Sequence, residues 1–375
     1  MSHLAQVYAR DLSVKVGRPV IQEHFYPFLF DKYITIHNSD KVPAKSYSYW
    51  PDVIKILKPE LDKRGIEIVQ IGSGDDKKID GVEHFINDTT FKQSFYILKN
   101  SLCQVGIDSC PIHIASAYDI PTVSIYAHTY SATCDPLWNK DKATIIESHR
   151  NGKKPSFSLN EDPKTIDIIK PEEIANGVFE SLGFKDYKSQ ETLFIGKKYL
   201  SKIIDIIPDQ IPKNIEEEDC LVRVRMDLAN NNDILLNILS NRKGSVEVVT
   251  KETLDQSILE SFKHKISKII YSNSDFDEGF LKYLKHSGID FELNCYDKKN
   301  LSKVRAKFFN YDIVFEDKKS EAKKLKEENK GKIKEGSQFY SGRFYVSGQN
   351  TMATLGKDME DLKFWLDIPY FRVYV

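Results

Sequence analysis

Between Asp108 and His113 the chain reads Asp-Ser-Cys-Pro-Ile-His, directly after a short apolar run and at the start of a helical pattern. A helix N-terminus presents unpaired N–H groups and partial positive charge, which suits a phosphate or pyrophosphate. Ser109 adds a hydroxyl donor there. His113, one turn further on, offers an imidazole donor to the same anion. The plainer alternative is an ordinary helix cap with a surface histidine. In the long polar loop after residue 147, Arg150, Lys153 and Lys154 could neutralise a diphosphate or simply be solvated. Cys110 and Cys134 read as unreactive thiols rather than a redox pair.

These residues need a scaffold, and the surrounding pattern supplies one. Tyr33–His37 is an apolar, β-branched strand, and the helix that opens near Pro51, tolerated where its missing N–H is not needed, stops near Gly65. Residues 66–71 form a second strand ending in Gly72-Ser-Gly74, and residues 84–86 a short third. Residues 91–100 follow as a helix, 103–107 as a strand, 108–118 as loop and helix, and Thr122–Tyr126 as a fifth strand. Residues 143–146 read as a strand and 171–182 as a closing helix. Such alternation implies a parallel sheet covered on both faces. Its ligands bind at the carboxyl ends of the strands, where Asn38, Gly72, Asp108 and Ala127 should lie.

The alternation returns later. Residues 193–207 read as a linking helix and 208–219 as a Pro- and Glu-rich connector. Strands over 221–226, 246–249, 266–271 and 291–294 then interleave with helices over 233–239, 258–262 and 280–287. Residues 316–335 form a mixed charge run, a solvated helix or arm, and the end of the chain is aromatic-rich, like edge strands or a packed tail. The expected division is a helix and connector over 1–32, a first α/β domain over 33–185, a linker over 186–219, a second α/β domain over 220–315, and a charged arm with an aromatic tail over 316–375.

The stretch Val105-Gly-Ile-Asp-Ser-Cys-Pro-Ile-His-Ile-Ala-Ser-Ala117, with Ile120-Pro-Thr-Val-Ser-Ile-Tyr-Ala-His-Thr129 after it, resembles the donor-binding signature of the heptosyltransferase family, glycosyltransferase family 9. Trp50-Pro51, Gly65 before a strand into Gly72, and Asp88-Thr-Thr-Phe91 fall in the family's order. The resemblance runs from about residue 33 to 182, which corresponds to the family's sugar-nucleotide-binding half. It implies an α/β fold of GT-B type, two Rossmann-like domains with parallel sheets facing a cleft. It implies donor binding by Asp108, Ser109, Cys110, His113, Thr129, Lys45 and Gly72.

Three departures stand out. Cys110 replaces a family glycine, Tyr126-Ala-His-Thr129 replaces Phe-Gly-x-Thr, and Ser48 stands where the family has lysine, with Lys45 nearby. The family's acceptor domain should also come first, whereas only about 32 residues precede this half. Leu221-Val-Arg-Val-Arg-Met226 and Asp233-Ile-Leu-Leu resemble the opening of that acceptor domain. The two halves would then be swapped in sequence, with Asp233, or Asp227 in competition, as general base. A helix-start acid stabilised by the macrodipole is the preferred reading of Asp233 on its own.

The implied reaction moves a sugar from a nucleotide-diphosphate sugar to a glycan or other hydroxyl acceptor, inverting and without a metal or other cofactor. The rival is a catalytically inactive relative that binds a sugar, nucleotide or protein partner. A sugar-nucleotide epimerase is disfavoured because no Gly-x-Gly-x-x-Gly follows the first strand.

Composition agrees with these readings. The 375 residues suggest about two domains. With 41% hydrophobic and 29% charged residues, the chain is that of a soluble globular protein, with ample core material. A net charge of −1 argues against a strongly basic nucleic-acid binder. No apolar run approaches the roughly 20 residues of a membrane span, and no secretory leader is evident. Five cysteines, odd in number and without metal-ligand spacing, fit free thiols in a reducing, cytoplasmic setting.

Overall fold

The computed structural model describes residues 2–187, 189–212 and 219–375. The contacts divide it into two compact units, one up to Glu191 and one from Thr192.

In the first unit, helix α1 (Leu4–Asp11) precedes strand β1 (Tyr33–His37), helix α2 (Trp50–Asp62), β2 (Glu67–Gly72) and β3 (Glu83–Ile86). Then come α3 (Phe91–Lys99), β4 (Gln104–Ile107), α4 (Cys110–Ala117), β5 (Thr122–Tyr126), α5 (Ser131–Cys134), β6 (Ala143–Glu147) and α6 (Pro171–Ser181). The strands lie in the order β3-β2-β1-β4-β5-β6, every pair parallel. This is the doubly wound order, and its direction reverses between β1 and β4.

Alternation along the strands explains the two covered faces. Ile34, Ile36, Ile68, Val105, Ile107, Val123 and Ile125 pack with Trp50, Val53, Leu57, Ile174 and Val178 of α2 and α6. Tyr33, Val69 and Ile71 pack on the other side with Phe95, Ile97 and Leu98 of α3 and with Ile114 of α4. The N-terminal connector contributes there too: Tyr26 and Phe28 meet Phe85, and Phe28 lies against Tyr33. At the reversal β1 and β4 come unusually close, since a Cβ on Gly106 would stand 2.6 Å from the His37 carbonyl oxygen. Only glycine permits that approach.

The second unit opens with β7 (Thr192–Ile195) and β8 (Ile203–Ile207). The expected helix over 193–207 is therefore corrected to two strands. Its isoleucines at 203, 204, 206 and 207 are β-branched and suit a pleated surface better than a helix, and β8 is zipped between β9 (Leu221–Arg225) and β15 (Arg343–Ser347). The turn between β7 and β8 contains Gly196, where a Cβ would lie 2.1 Å from the Pro369 carbonyl oxygen. The expected connector over 208–219 falls partly outside the described residues.

From β9 the chain continues through α7 (Asn232–Asn241), β10 (Val246–Thr250), α8 (Gln256–Phe262), β11 (Ile266–Ser272), α9 (Glu278–Ser287), β12 (Phe291–Cys295), α10 (Leu301–Lys307) and β13 (Ile313–Phe315). Strands β8 to β13 pair in sequential order, all parallel. Leu235, Leu259, Phe280, Leu284 and Val304 of the four helices share one core with Val222, Val248, Ile269 and Leu293 of the sheet.

The aromatic end of the chain forms strands packed into the fold, as the edge-strand reading expected, and the charge run contributes a helix. Helix α11 (Lys318–Glu328) buries Ala322 fully, and β14 (Gln338–Ser341), β15, β16 (Asn350–Met352), α12 (Leu362–Asp367) and β17 (Phe371–Tyr374) follow. Strand β15 joins the large sheet beside β8, while β14, β17 and β7 form an antiparallel sheet of their own. Both units are thus α/β with parallel sheets, as the sequence implied.

Candidate functional site

The switch between β1 and β4 is where a doubly wound sheet opens a crevice, and the motif residues gather there. Asp108 follows β4 directly, and Ser109 is the N-cap of α4 with extended φ/ψ of −154° and 168°. Its side chain does not cap the helix. Instead Ser109 Oγ lies 2.9 Å from His37 Nδ1, at the end of β1. The plain capping reading of Ser109 therefore does not hold. Pro111 in the first turn has no N–H to give, so the donors of α4 are sparse and their use matters.

Lys45 Nζ donates to Asp108 Oδ2 at 3.0 Å and to the Asp108 carbonyl at 3.3 Å. His113 Nε2 stands 3.7 Å from Asp108 Oδ1. Burial alone would push the Asp108 carboxyl up, but His113 and Lys45 outweigh it and hold it below the ordinary carboxylate range. A small concavity beside it is lined by Lys45, Asp108, Tyr126, Ala127, His128 and Thr129. Both ring nitrogens of His128 are buried with no hydrogen-bond partner among the described residues. Thr129 Oγ1 lies 3.3 Å from Cys134 Sγ, so that hydroxyl has a local partner. Cys110 is exposed at the start of α4, and no disulfide joins the cysteines among the described residues.

Gly72 acts at one remove. A Cβ there would come within 2.5 Å of Asp76 Oδ2, so glycine makes room for that carboxylate. Asp76 accepts from Ser39 Oγ at 2.8 Å and from the Ser73 amide at 2.8 Å, and its Oδ2 lies 3.7 Å from His37 Nε2. Burial would raise its pKa, but His37, the Ser73 amide and Ser39 bring it down to about 2. His37 and Asp76 were missed in the sequence. Their signals, a histidine closing a strand and an acid after Gly72-Ser-Gly74, are weak without the strand order.

The remaining candidates fall elsewhere. Arg150 is buried, pairs with Glu147 and donates to the Ala127 carbonyl, which leaves Lys153 and Lys154 as the exposed cations of that loop. In the second unit Asp227 receives a bidentate pair from Arg225 at 2.6 and 2.7 Å. Asp233 is exposed in the first turn of α7, which Asn231 caps. No group of three or more His, Cys, Asp or Glu that could hold a metal occurs among the described residues. No helix among them is long and apolar enough to cross a membrane.

The lysine, aspartate and histidine thus stand at a helix start on the switch point of a doubly wound sheet, the place where such sheets bind their ligands. Residues 11–165 match the family described as Glycosyltransferase family 9 (heptosyltransferase), so this segment is glycosyltransferase family 9-like. No curated protein matches the chain. Among solved structures it is similar to the ADP-heptose lps heptosyltransferase II of E. coli, at 17% identity over 47% of this chain and 50% of that one, TM-score 0.33. It is similar to the E. coli heptosyltransferase WaaC with ADP, at 13% identity over 47% and 54%, TM-score 0.32. A glycosyl transferase family 9 protein from Veillonella parvula matches at 13% identity over 40% and 46%, TM-score 0.31. The chain spans about half the length of these proteins.

Proposed function

We propose that the protein is a glycosyltransferase that moves a sugar from a nucleotide-diphosphate sugar to the hydroxyl of a glycan or similar acceptor, with inversion and without a metal. The observation that carries this reading is the meeting of Lys45, Asp108 and His113 at the start of α4, at the strand-order reversal, inside the segment that matches the family. A diphosphate seated on the first turn of α4 would meet the helix's positive end together with Lys45 and His113. Donors fixed in advance stabilise the charge that develops on the departing phosphate, the largest contribution such a site can make. Thr129 would add a hydroxyl once it exchanges Cys134 for the ligand. Of the two acids weighed as general base, Asp233 is the candidate, because its carboxylate is exposed whereas that of Asp227 is engaged by Arg225. Five cysteines without a disulfide suit a cytoplasmic enzyme.

The pairing of Asp227 with Arg225 also favours a second reading, a donor fold that binds a nucleotide or sugar without turnover. A panel of nucleotide-diphosphate sugars, assayed for release of the nucleoside diphosphate with and without a chelator, separates the two. The expected result is release from at least one donor, unaffected by the chelator. Tight binding with no release from any donor would leave only the binding protein.

A further inference from the structure

His128 lies just beyond the end of β5, at the unspecified position of the family's Phe-Gly-x-Thr, so the resemblance gives it no role. Its ring is fixed by the loop after β6. Phe157 of that loop meets it edge-on, with ring centroids 6.4 Å apart, and the Phe157 amide donates to the His128 carbonyl at 3.2 Å. Phe157 holds a left-handed φ of 53° there, a conformation that is costly for a bulky side chain. Yet both nitrogens of the imidazole are buried without a hydrogen-bond partner among the described residues. Glu161, the acid within electrostatic reach of the ring, is engaged by Ser156 and by the amide and hydroxyl of Thr165. Such unpaired buried nitrogens cost stability in the free protein.

The same ring lines the concavity that Lys45, Asp108 and Thr129 share. Its volume of about 10 Å³ suits one water-sized group rather than a whole phosphate or sugar ring. Lys45 and Asp108 already pair at 3.0 Å, so their charges cancel and the entering group need not be an ion. With one N–H, an imidazole offers a donor on one nitrogen and an acceptor on the other. A hydroxyl both donates and accepts, so it can pair with whichever nitrogen faces it.

We propose that His128 binds one hydroxyl of the sugar nucleotide and so selects for hydroxyl-bearing donors; this rests on the donor site proposed above. The hydroxyl enters the concavity beside the diphosphate. It accepts from a ring N–H while donating to Asp108, or it donates to the bare ring nitrogen while accepting from Lys45. The ribose and the transferred sugar both carry such groups, and the probes below tell them apart.

The test is calorimetric titration of inorganic pyrophosphate, of ADP, GDP, UDP and CDP, and of their glucose conjugates into wild type, His128→Leu and His128→Gln, each as the full chain. Pyrophosphate carries no sugar hydroxyl, and its affinity should be the same in all three proteins. Hydroxyl-bearing probes that bind wild type should bind His128→Leu about three- to tenfold more weakly, the worth of one hydrogen bond. His128→Gln, whose amide keeps a donor and an acceptor, should recover part of that loss. A loss already seen with the nucleoside diphosphates places the hydroxyl on the ribose, and a loss confined to the glucose conjugates places it on the sugar. Ligand-free His128→Leu should melt no lower than wild type, because two unpaired buried nitrogens are gone. Equal weakening of pyrophosphate, unchanged affinity for every probe, or a lower melting temperature with binding intact would overturn the role of His128 while the donor site stands. Failure of every probe to bind wild type would overturn both.

Discussion

Replacing Lys45 by methionine should weaken nucleoside-diphosphate binding by about ten- to a hundredfold, or about 1.5–3 kcal/mol, the range for a hydrogen bond to a charged group. Two effects add. The ammonium is lost to the incoming anion, and Asp108 loses the donor at 3.0 Å that helps offset its burial. A buried carboxylate with less compensation then stands beside the ligand. Combining Lys45→Met with Asp108→Asn removes that second effect and should recover part of the loss. Calorimetry on the single and double variants reads both terms. An affinity unchanged by Lys45→Met would mean that neither the ammonium nor its pairing with Asp108 acts on the bound diphosphate.

The largest effect on stability is expected in the second unit. Arg343 Nε lies 2.5 Å from Asp205 Oδ2 and its Nη1 lies 3.0 Å from Asp367 Oδ1. Both carboxylates are essentially inaccessible. Tyr345 and Thr354 also donate to Asp367, at 2.9 and 2.8 Å, while Asp205 Oδ1 has no hydrogen-bond partner among the described residues. Arg225, the other cation in reach of Asp205, stands 3.6 Å away and is already held by Asp227.

Arg343→Met keeps most of the apolar stem but leaves two buried carboxylates short of charge compensation. Removing one partner of a buried pair costs about 3–5 kcal/mol, to be read by denaturant unfolding. The pH dependence has a definite sign. Burial, partly offset by Arg343, raises the Asp367 pKa above its ordinary value. A carboxyl raised in the folded state favours folding when protonated, so the defect should shrink as the pH falls. Adding Asp205→Asn to Arg343→Met should recover part of the stability at neutral pH. A loss below about 1 kcal/mol would show that the network is hydrated and weakly coupled.

What could be read in advance divides along contact distance in the chain. Asp108, Ser109 and His113 fall within six residues, and strand, turn and helix locally determine their meeting. The strands of the first unit were legible because their apolar runs alternate cleanly with helical periods. His37 and Asp76 were not, because 72 positions separate His37 from Ser109 and only the sheet order brings them together. The stretch over 193–207 misled for a related reason: its apolar spacing suits a helix as well as a strand, and β9 and β15 decide the matter. The same nonlocal pairing seats β15 of the aromatic end beside β8 in the large sheet, where the sequence left edge strands and a packed tail both open.

A structure of the protein with a bound nucleoside diphosphate tests the central claim most directly. The phosphates should lie against the first turn of α4, within hydrogen-bonding distance of Ser109, Lys45 and His113. A diphosphate bound elsewhere, with α4 and Lys45 unchanged, would contradict it.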